Sequence, residues 1–347
     1  MPKFKTVLKW IGLTMGVLVS VVWLIDSDLV KLILPIRTAF PIVLGLAGIL
    51  VLFRRVPLTI GAAGVFFSFA VFIFINGRMD YSEEELSFQS HGETLEGTLY
   101  IPDGSGPFQS VVFVHGSLCA PRRIYHAVAD HMAANGIAVF SFDKRGTGAS
   151  GGECVTENNT GLENLGLLSD DITAALELIS KNPNVDPDRL GLWGISQAGW
   201  IAPLAAEKYP NLGFMVLVSG PSVSTGEENY YSSLTGDGHG AAEGDLTQLE
   251  IEALVEARDP SGFDPYQTLL NTNVPTLWIY GGQDSSIPVK KSIKRLEKLQ
   301  EMGKNYDISL YPTSSHILVE MTFPYNFSEG FQDEVADWIK AQARKSS

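Results

Sequence analysis

Five short apolar runs constrain this chain more than any other feature. They are 110–114 (SVVFV), 137–142 (IAVFSF), 190–193 (LGLW), 214–219 (FMVLVS) and 276–280 (TLWIY). A strand with one wet face alternates apolar and polar residues; these do not, so each must be covered on both faces. Between and after them lie stretches with helical spacing, at 122–135, 165–181, 196–208, 289–302 and 328–344. Strands separated by helices of about 10–15 residues build βαβ units. The predicted class is therefore α/β, with a mostly parallel sheet flanked by helices, to which 95–101 and 306–311 add strands. Sites in such sheets sit at the carboxyl ends of the strands.

Charge divides the chain near residue 79. Residues 1–78 hold eight Lys/Arg against Asp26 and Asp28, while the remainder holds 17 Lys/Arg against 37 Asp/Glu. The basic part contains apolar runs at 6–25, 39–53 and 58–75. Some 20 helical residues at about 1.5 Å each cross the roughly 30 Å of a bilayer core. The middle run spans only if it starts near Leu32, which brings in Pro35 and Arg37. Residues 1–78 are predicted to be a membrane anchor of about three transmembrane helices. Two spans, or a cleaved signal peptide, are the alternatives, but 23–28 (WLIDSD) offers no small-residue cleavage site. With three spans, Lys3, Lys5, Lys9, Arg54 and Arg55 share one side, which puts the N-terminus inside and residues 79–347 outside the cytoplasm. The acidic balance of 79–347 argues against a nucleic-acid partner.

Residues 222–272 interrupt the alternation with about 50 residues between two strands, far beyond an ordinary connection. They are predicted to form a cap insertion with a helix at 246–257; His239 lies within it, flanked by glycines.

Gly194-Ile195-Ser196-Gln197-Ala198-Gly199 follows an apolar strand and opens a helix. Glycine beside a serine in a sharp strand-to-helix turn lets the serine adopt a strained conformation that exposes its hydroxyl. Here alanine takes the fifth position and glycine the sixth. A serine nucleophile needs a base, and the base an orienting acid. Asp284 follows the strand at 276–280 and His316 the strand at 306–311, so acid and base candidates stand past strand ends in the order Ser, Asp, His. A tetrahedral intermediate also needs N–H donors. Gln197, after the nucleophile, supplies one; Ser117, after the strand at 110–114, supplies the other, with Leu118 as the alternative. His115 is then structural.

Taken together, several motifs resemble α/β-hydrolases. They are His115-Gly116-Ser117, residues 143–151 (DKRGTGASG), residues 186–199 (DPDRLGLWGISQAG), Ser219-Gly220-Pro221 and the surroundings of Asp284 and His316. The similarity is greatest to the bacterial esterase, acyl-thioester hydrolase and serine-aminopeptidase-like branch, and covers about 90–345. It implies a Ser196–Asp284–His316 triad, an oxyanion hole at Ser117 and Gln197, and a 143–151 loop flanking the site. It implies no metal or organic cofactor. Leu118-Cys119 departs from the pattern, because family members often carry glycine there, and a membrane anchor is not a family feature. The fold would bring Cys119 and Cys154 to the rim of the site, either paired as a disulfide or as two free, partly buried thiols.

The function this implies is cleavage of carboxylic or thio esters through an acyl-enzyme, on a small acyl ester or lipid-like substrate. Peptidase or acyltransferase action through the same triad is the alternative. A non-catalytic, membrane-tethered binding module is the remote one. The oligomeric state is not legible.

Overall fold

The apolar runs lie together in one eight-stranded sheet of order β1-β2-β4-β3-β5-β6-β7-β8. The computed structural model describes residues 81–157, 159–236, 246–320 and 327–342. The strands are β1 (Tyr81–Ser90), β2 (Glu93–Pro102), β3 (Phe108–Val114), β4 (Ala138–Phe142), β5 (Val185–Ile195), β6 (Met215–Val218), β7 (Thr276–Gly281) and β8 (Tyr306–Tyr311). The helices are α1 (His126–Ala134), α2 (Leu162–Ile179), α3 (Ala198–Lys208), α4 (Thr225–Thr235), α5 (Gln248–Glu256), α6 (Tyr266–Asn271), α7 (Val289–Glu301) and α8 (Phe331–Ala341). From β4 through β8 every neighbouring pair is parallel, and β2 alone runs against the rest. This is the α/β-hydrolase fold.

Side-chain alternation explains why the central strands are apolar throughout. Val112 and Val114 join a core with Leu165, Leu168 and Ile172 of α2 and Ile201 and Ala202 of α3. Phe113, between them, points to the other face and stacks on Trp193 of β5 at 4.7 Å. The second face is closed by α1 and α8; Gln109 of β3 donates to the Ile339 carbonyl at 2.6 Å.

Strand order positions the site. From β3 the chain crosses to β4 on one side of the sheet, and from β5 it proceeds to β6 on the other. The carboxyl ends of the adjacent strands β3 and β5 therefore border a switch point, where α/β sheets open a crevice. Ser117 leaves β3 there, and Ser196 leaves β5.

Several expected boundaries shift. The helix expected at 122–135 is a 3₁₀ turn (Arg122–Tyr125) followed by α1. The helix expected from Ser196 begins at Ala198, because Ser196 has φ +57°. The strand expected at 190–193 extends over Val185–Ile195, and the helix expected over 328–344 narrows to α8, with Gly330 at φ +76° before it. Strand β1 has no counterpart in the apolar pattern; its sequence is YSEEELSFQS, and it is held by a two-residue hairpin turn at His91-Gly92, both at positive φ. Residues 222–272 contain α4, α5 and α6, of which only α5 was expected.

The anchor expected over 1–78 and His239 lie outside the described residues. No helix among the described residues is long and apolar enough to cross a membrane.

Candidate active site

Ser196 stands between the last residue of β5 and the first turn of α3. Its N–H donates to the Val218 carbonyl of β6 at 2.9 Å, and its carbonyl accepts from Gly199 at 2.9 Å. Those bonds hold the residue at φ +57°, an unfavourable conformation for a side chain with a Cβ. The glycines on either side make the tight turn sterically possible. A Cβ on Gly194 would lie 2.4 Å from the Ala198 Cβ, and one on Gly199 would lie 2.6 Å from the Pro221 nitrogen. Gly199, one place beyond the usual fifth position, is where the backbone of the next loop comes closest. Ser196 is half-buried, and its hydroxyl makes no hydrogen bond among the described residues.

Asp284 and His316 meet directly. His316 Nδ1 lies 2.8 Å from Asp284 Oδ2. With the Nδ1 proton donated to the carboxylate, the basic lone pair of the neutral ring is on Nε2. The other carboxylate oxygen, Oδ1, accepts from the Ser286 N–H at 2.8 Å and the Ile287 N–H at 3.1 Å. The Asp284 side chain is fully buried, while that of His316 is 20% exposed. From the segment between β6 and β7, Tyr231 of α4 donates its hydroxyl to the Asp284 carbonyl at 2.8 Å. Thr235 donates to the Ser285 carbonyl at 2.6 Å. Below these contacts α4 is fixed to α7 through buried Glu227, which caps its own helix with Ser224 and pairs with Lys291 at 2.7 Å.

Across the switch point, Ser117 and Gln197 present backbone donors. Neither N–H is engaged within the described residues. Gln197 is at the start of α3, where the first helical N–H groups lack intrahelical partners and the helix dipole is positive. Gly116 packs against Ser196: a Cβ built on it would lie 3.5 Å from the Ser196 Cβ. His115 is buried among Phe113, Tyr125 and Phe142 and donates Nε2–H to the Phe142 carbonyl at 2.6 Å. Burial, with Lys144 nearby, pushes its pKa down to about 3, so the ring is neutral. Leu118 turns outward at 68% exposure.

The loop after β4 carries three buried charges in a row, each committed to a different partner. Asp143 accepts from the Arg122 backbone N–H at 2.8 Å and its guanidinium at 2.7 Å. Arg145 pairs with Asp171 of α2 at 2.5 Å. Lys144 donates to the Gly116 carbonyl at 2.8 Å, the Ser117 carbonyl at 3.3 Å and Gln197 Oε1 at 3.2 Å. Burial lowers its pKa to about 8. A disulfide joins Cys119 to Cys154, so the Ser117 loop is tied covalently to the segment that follows 143–151.

Ser196, Asp284, His316, Ser117 and Gln197 are legible as site candidates in the sequence; Lys144, within the 143–151 loop, and Tyr231 are not individually. The run Asp143-Lys144-Arg145 directly after a wholly apolar strand was the available signal for Lys144, since buried charges need partners. Tyr231 had none. Among the described residues no group of three or more His, Cys, Asp or Glu is arranged to hold a metal.

The description of the prolyl oligopeptidase family matches residues 125–345. The chain belongs to the prolyl oligopeptidase family. Curated relatives include a probable dipeptidyl-aminopeptidase B of Paracoccidioides brasiliensis, 26% identical over 233 residues, covering 65% of this chain and 23% of the relative. The uncharacterized peptidase YuxL of Bacillus subtilis is 26% identical over 254 residues, covering 70% of this chain and 36% of its own. The thiohydrolase aneE of Aspergillus aculeatus is 31% identical over 131 residues, with coverage of 38% and 39%. The chain thus spans less than half the length of these relatives. Among solved structures, the acylaminoacyl peptidase of Pyrococcus horikoshii superposes with TM-score 0.56 at 16% identity, covering 79% of this chain and 44% of that one. An esterase of Pyrococcus furiosus gives 0.55 at 17% identity, covering 76% and 92%. At such identities these structures establish the fold shared with the prolyl oligopeptidase family member described here, and nothing finer.

Proposed function

We propose that this protein is a serine hydrolase that cleaves carboxylic or thio esters through an acyl-enzyme. Ser196 is the nucleophile, His316 the general base and acid, and Asp284 the orienting carboxylate; the Ser117 and Gln197 N–H groups bind the oxyanion. The observation that carries this reading is the 2.8 Å bond from His316 to buried Asp284 at the ends of β8 and β7. Family membership and the strained serine of the β5–α3 turn support the hydrolase class.

In this reading His316 Nε2 takes the Ser196 proton as Oγ bonds to the acyl carbon, and the carbonyl electrons move to the oxygen. Asp284 stabilises the imidazolium. Collapse of the intermediate expels the alcohol or thiol, which receives the proton from His316. Water, deprotonated by His316, then attacks the acyl-enzyme, and the acid leaves as Ser196 regains its proton. Water is the only co-reactant. Two large apolar side chains next to these residues, Leu118 and Ile317, are exposed at 68% and 39%, which suits an apolar acyl group.

Peptide cleavage by the same groups is the second reading, favoured by the peptidase names among the relatives. One assay series addresses both: p-nitrophenyl esters of increasing chain length beside thioesters and aminoacyl p-nitroanilides. A fluorophosphonate probe tests the nucleophile. Labelling of the parent but not of Ser196→Ala is expected, and undiminished labelling of that variant would overturn the assignment.

The site is further proposed to lie outside the cytoplasm on a membrane tether formed by residues 1–78. The Cys119–Cys154 disulfide supports an oxidising compartment. Protease added to intact cells should digest residues 79–347; their protection would reverse the orientation.

A further inference from the structure

We propose that Lys144 is the positioning residue of the oxyanion hole: one buried ammonium orients the Ser117 N–H from behind through the Gly116 carbonyl, anchors the Gln197 side chain and sets a positive charge beside both donors. This rests on the assignment of Ser117 and Gln197 as those donors.

The geometry follows from peptide chemistry. The Gly116 carbonyl and the Ser117 N–H belong to one planar trans peptide unit, so they point in opposite directions. A cation fixed 2.8 Å from that carbonyl sets where the N–H points and polarises it toward an acceptor on the far side. The ammonium also donates to the Ser117 carbonyl and to Gln197 Oε1. Gln197 is in turn held at its other end, where Nε2 donates to the Asn159 carbonyl at 2.8 Å. Three acceptors, two of them on Ser117 and Gln197 themselves, thus converge on one nitrogen.

What Lys144 lacks is as informative. It is 2% exposed, yet no carboxylate is among its hydrogen-bond or ion-pair partners in the described residues. Its neighbours in sequence show the ordinary solution, since Asp143 has Arg122 and Arg145 has Asp171. An uncompensated buried charge is costly and is found where its field is used. The charge that would compensate this one is an oxyanion forming beside the Ser117 and Gln197 N–H groups. A preorganised charge of this kind acts on the transition state and leaves substrate binding almost untouched.

The test uses the full chain and two variants, Lys144→Met, which removes donors and charge, and Lys144→Gln, which keeps a neutral donor. Kinetics are read with p-nitrophenyl butyrate, inhibition with an alkyl trifluoromethyl ketone, whose adduct with a serine carries an oxyanion, and folding by melting temperature. For Lys144→Met, kcat should fall about 10–100-fold with KM little changed, and ketone affinity should weaken in the same proportion as kcat/KM. Lys144→Gln should fall between Lys144→Met and the parent, and it carries the comparison if Lys144→Met does not fold. Equal falls in kcat and ketone affinity at unchanged KM support the proposal. If both variants melt normally and keep kcat and ketone affinity within about two-fold, the proposal fails. A rise in KM with unchanged ketone affinity also overturns it, as the mark of a structural role. Ser196→Ala, run alongside, separates the two levels: its inactivity with fully active Lys144 variants sinks only Lys144, whereas its retained activity sinks the hydrolase reading.

Discussion

On the β3–β5 side of the proposed site, Ser117 and Gln197 are held by a buried ammonium, a disulfide and the start of α3. On the β7–β8 side, Asp284 and His316 are held by backbone N–H groups and by hydroxyls from α4. The contrast follows from what the proposed mechanism asks of each half. Donors meant for a substrate oxygen have to stay unpaired, so the protein grips them from behind, through their carbonyls and side chains. A carboxylate meant to orient a histidine has no such restriction. Asp284 therefore receives direct hydrogen bonds on both oxygens, and a further one reaches its carbonyl from Tyr231.

The largest expected effect tests the β7–β8 side. Asp284→Asn keeps the shape of the side chain but favours the wrong histidine tautomer, and kcat on p-nitrophenyl esters should drop about 10³–10⁴-fold. A loss under ten-fold would remove Asp284 from the triad.

Next in size is the covalent tie on the β3–β5 side. The disulfide closes a loop with a sequence separation of 35 residues. Replacing both cysteines by serine should lower unfolding free energy by about 3–4 kcal/mol in the chain-entropy description, measured by urea denaturation. If Ser117 depends on that tie, kcat should also fall; unchanged kcat would show that Lys144 holds the loop alone.

His115, beneath the same loop, supplies a pH test. Its pKa is about 3 in the folded chain against an ordinary value of 6.5. Below 6.5 the unfolded chain takes up a proton that the folded chain refuses. The stability this group contributes is thus complete above 6.5 and is lost as pH falls toward 3. Between pH 7 and pH 5 the loss amounts to about 2 kcal/mol. In His115→Gln the difference in urea stability between those two pH values should shrink by about that amount, and an unchanged difference would place the acid sensitivity elsewhere.

The smallest effect belongs to Tyr231→Phe, which removes the hydroxyl bond from α4 to the Asp284 carbonyl. A net cost of about 1 kcal/mol is expected, with a few-fold fall in kcat. A much larger fall would give α4 a share in positioning the acid equal to that of the Ser286 and Ile287 amides.

Much of the fold was legible because its signals are local. Continuous apolar runs marked the five strands β3 to β7, and the residues just past β5, β7 and β8 could be read off as serine, aspartate and histidine. Polar β1 was not legible, because its strand state comes from pairing with β2 across a tight turn rather than from its own pattern. Helix α4 was missed for a similar reason: its sequence, TGEENYYSSLT, has little apolar periodicity, and its capping box and the Glu227 contacts to α7 define it.

By itself the sequence determined the α/β class and placed Ser196, Asp284 and His316, the proposed triad, just past strand ends, since strand period and turn chemistry act over a few residues. Only the tertiary structure decided which charges answer one another. Lys144 reaches Gly116 across 28 positions and Gln197 across 53, and Tyr231 reaches Asp284 across 53. Such partners are set by strand order and by the cost of leaving a buried charge or hydroxyl unpaired, and both are properties of the assembled sheet.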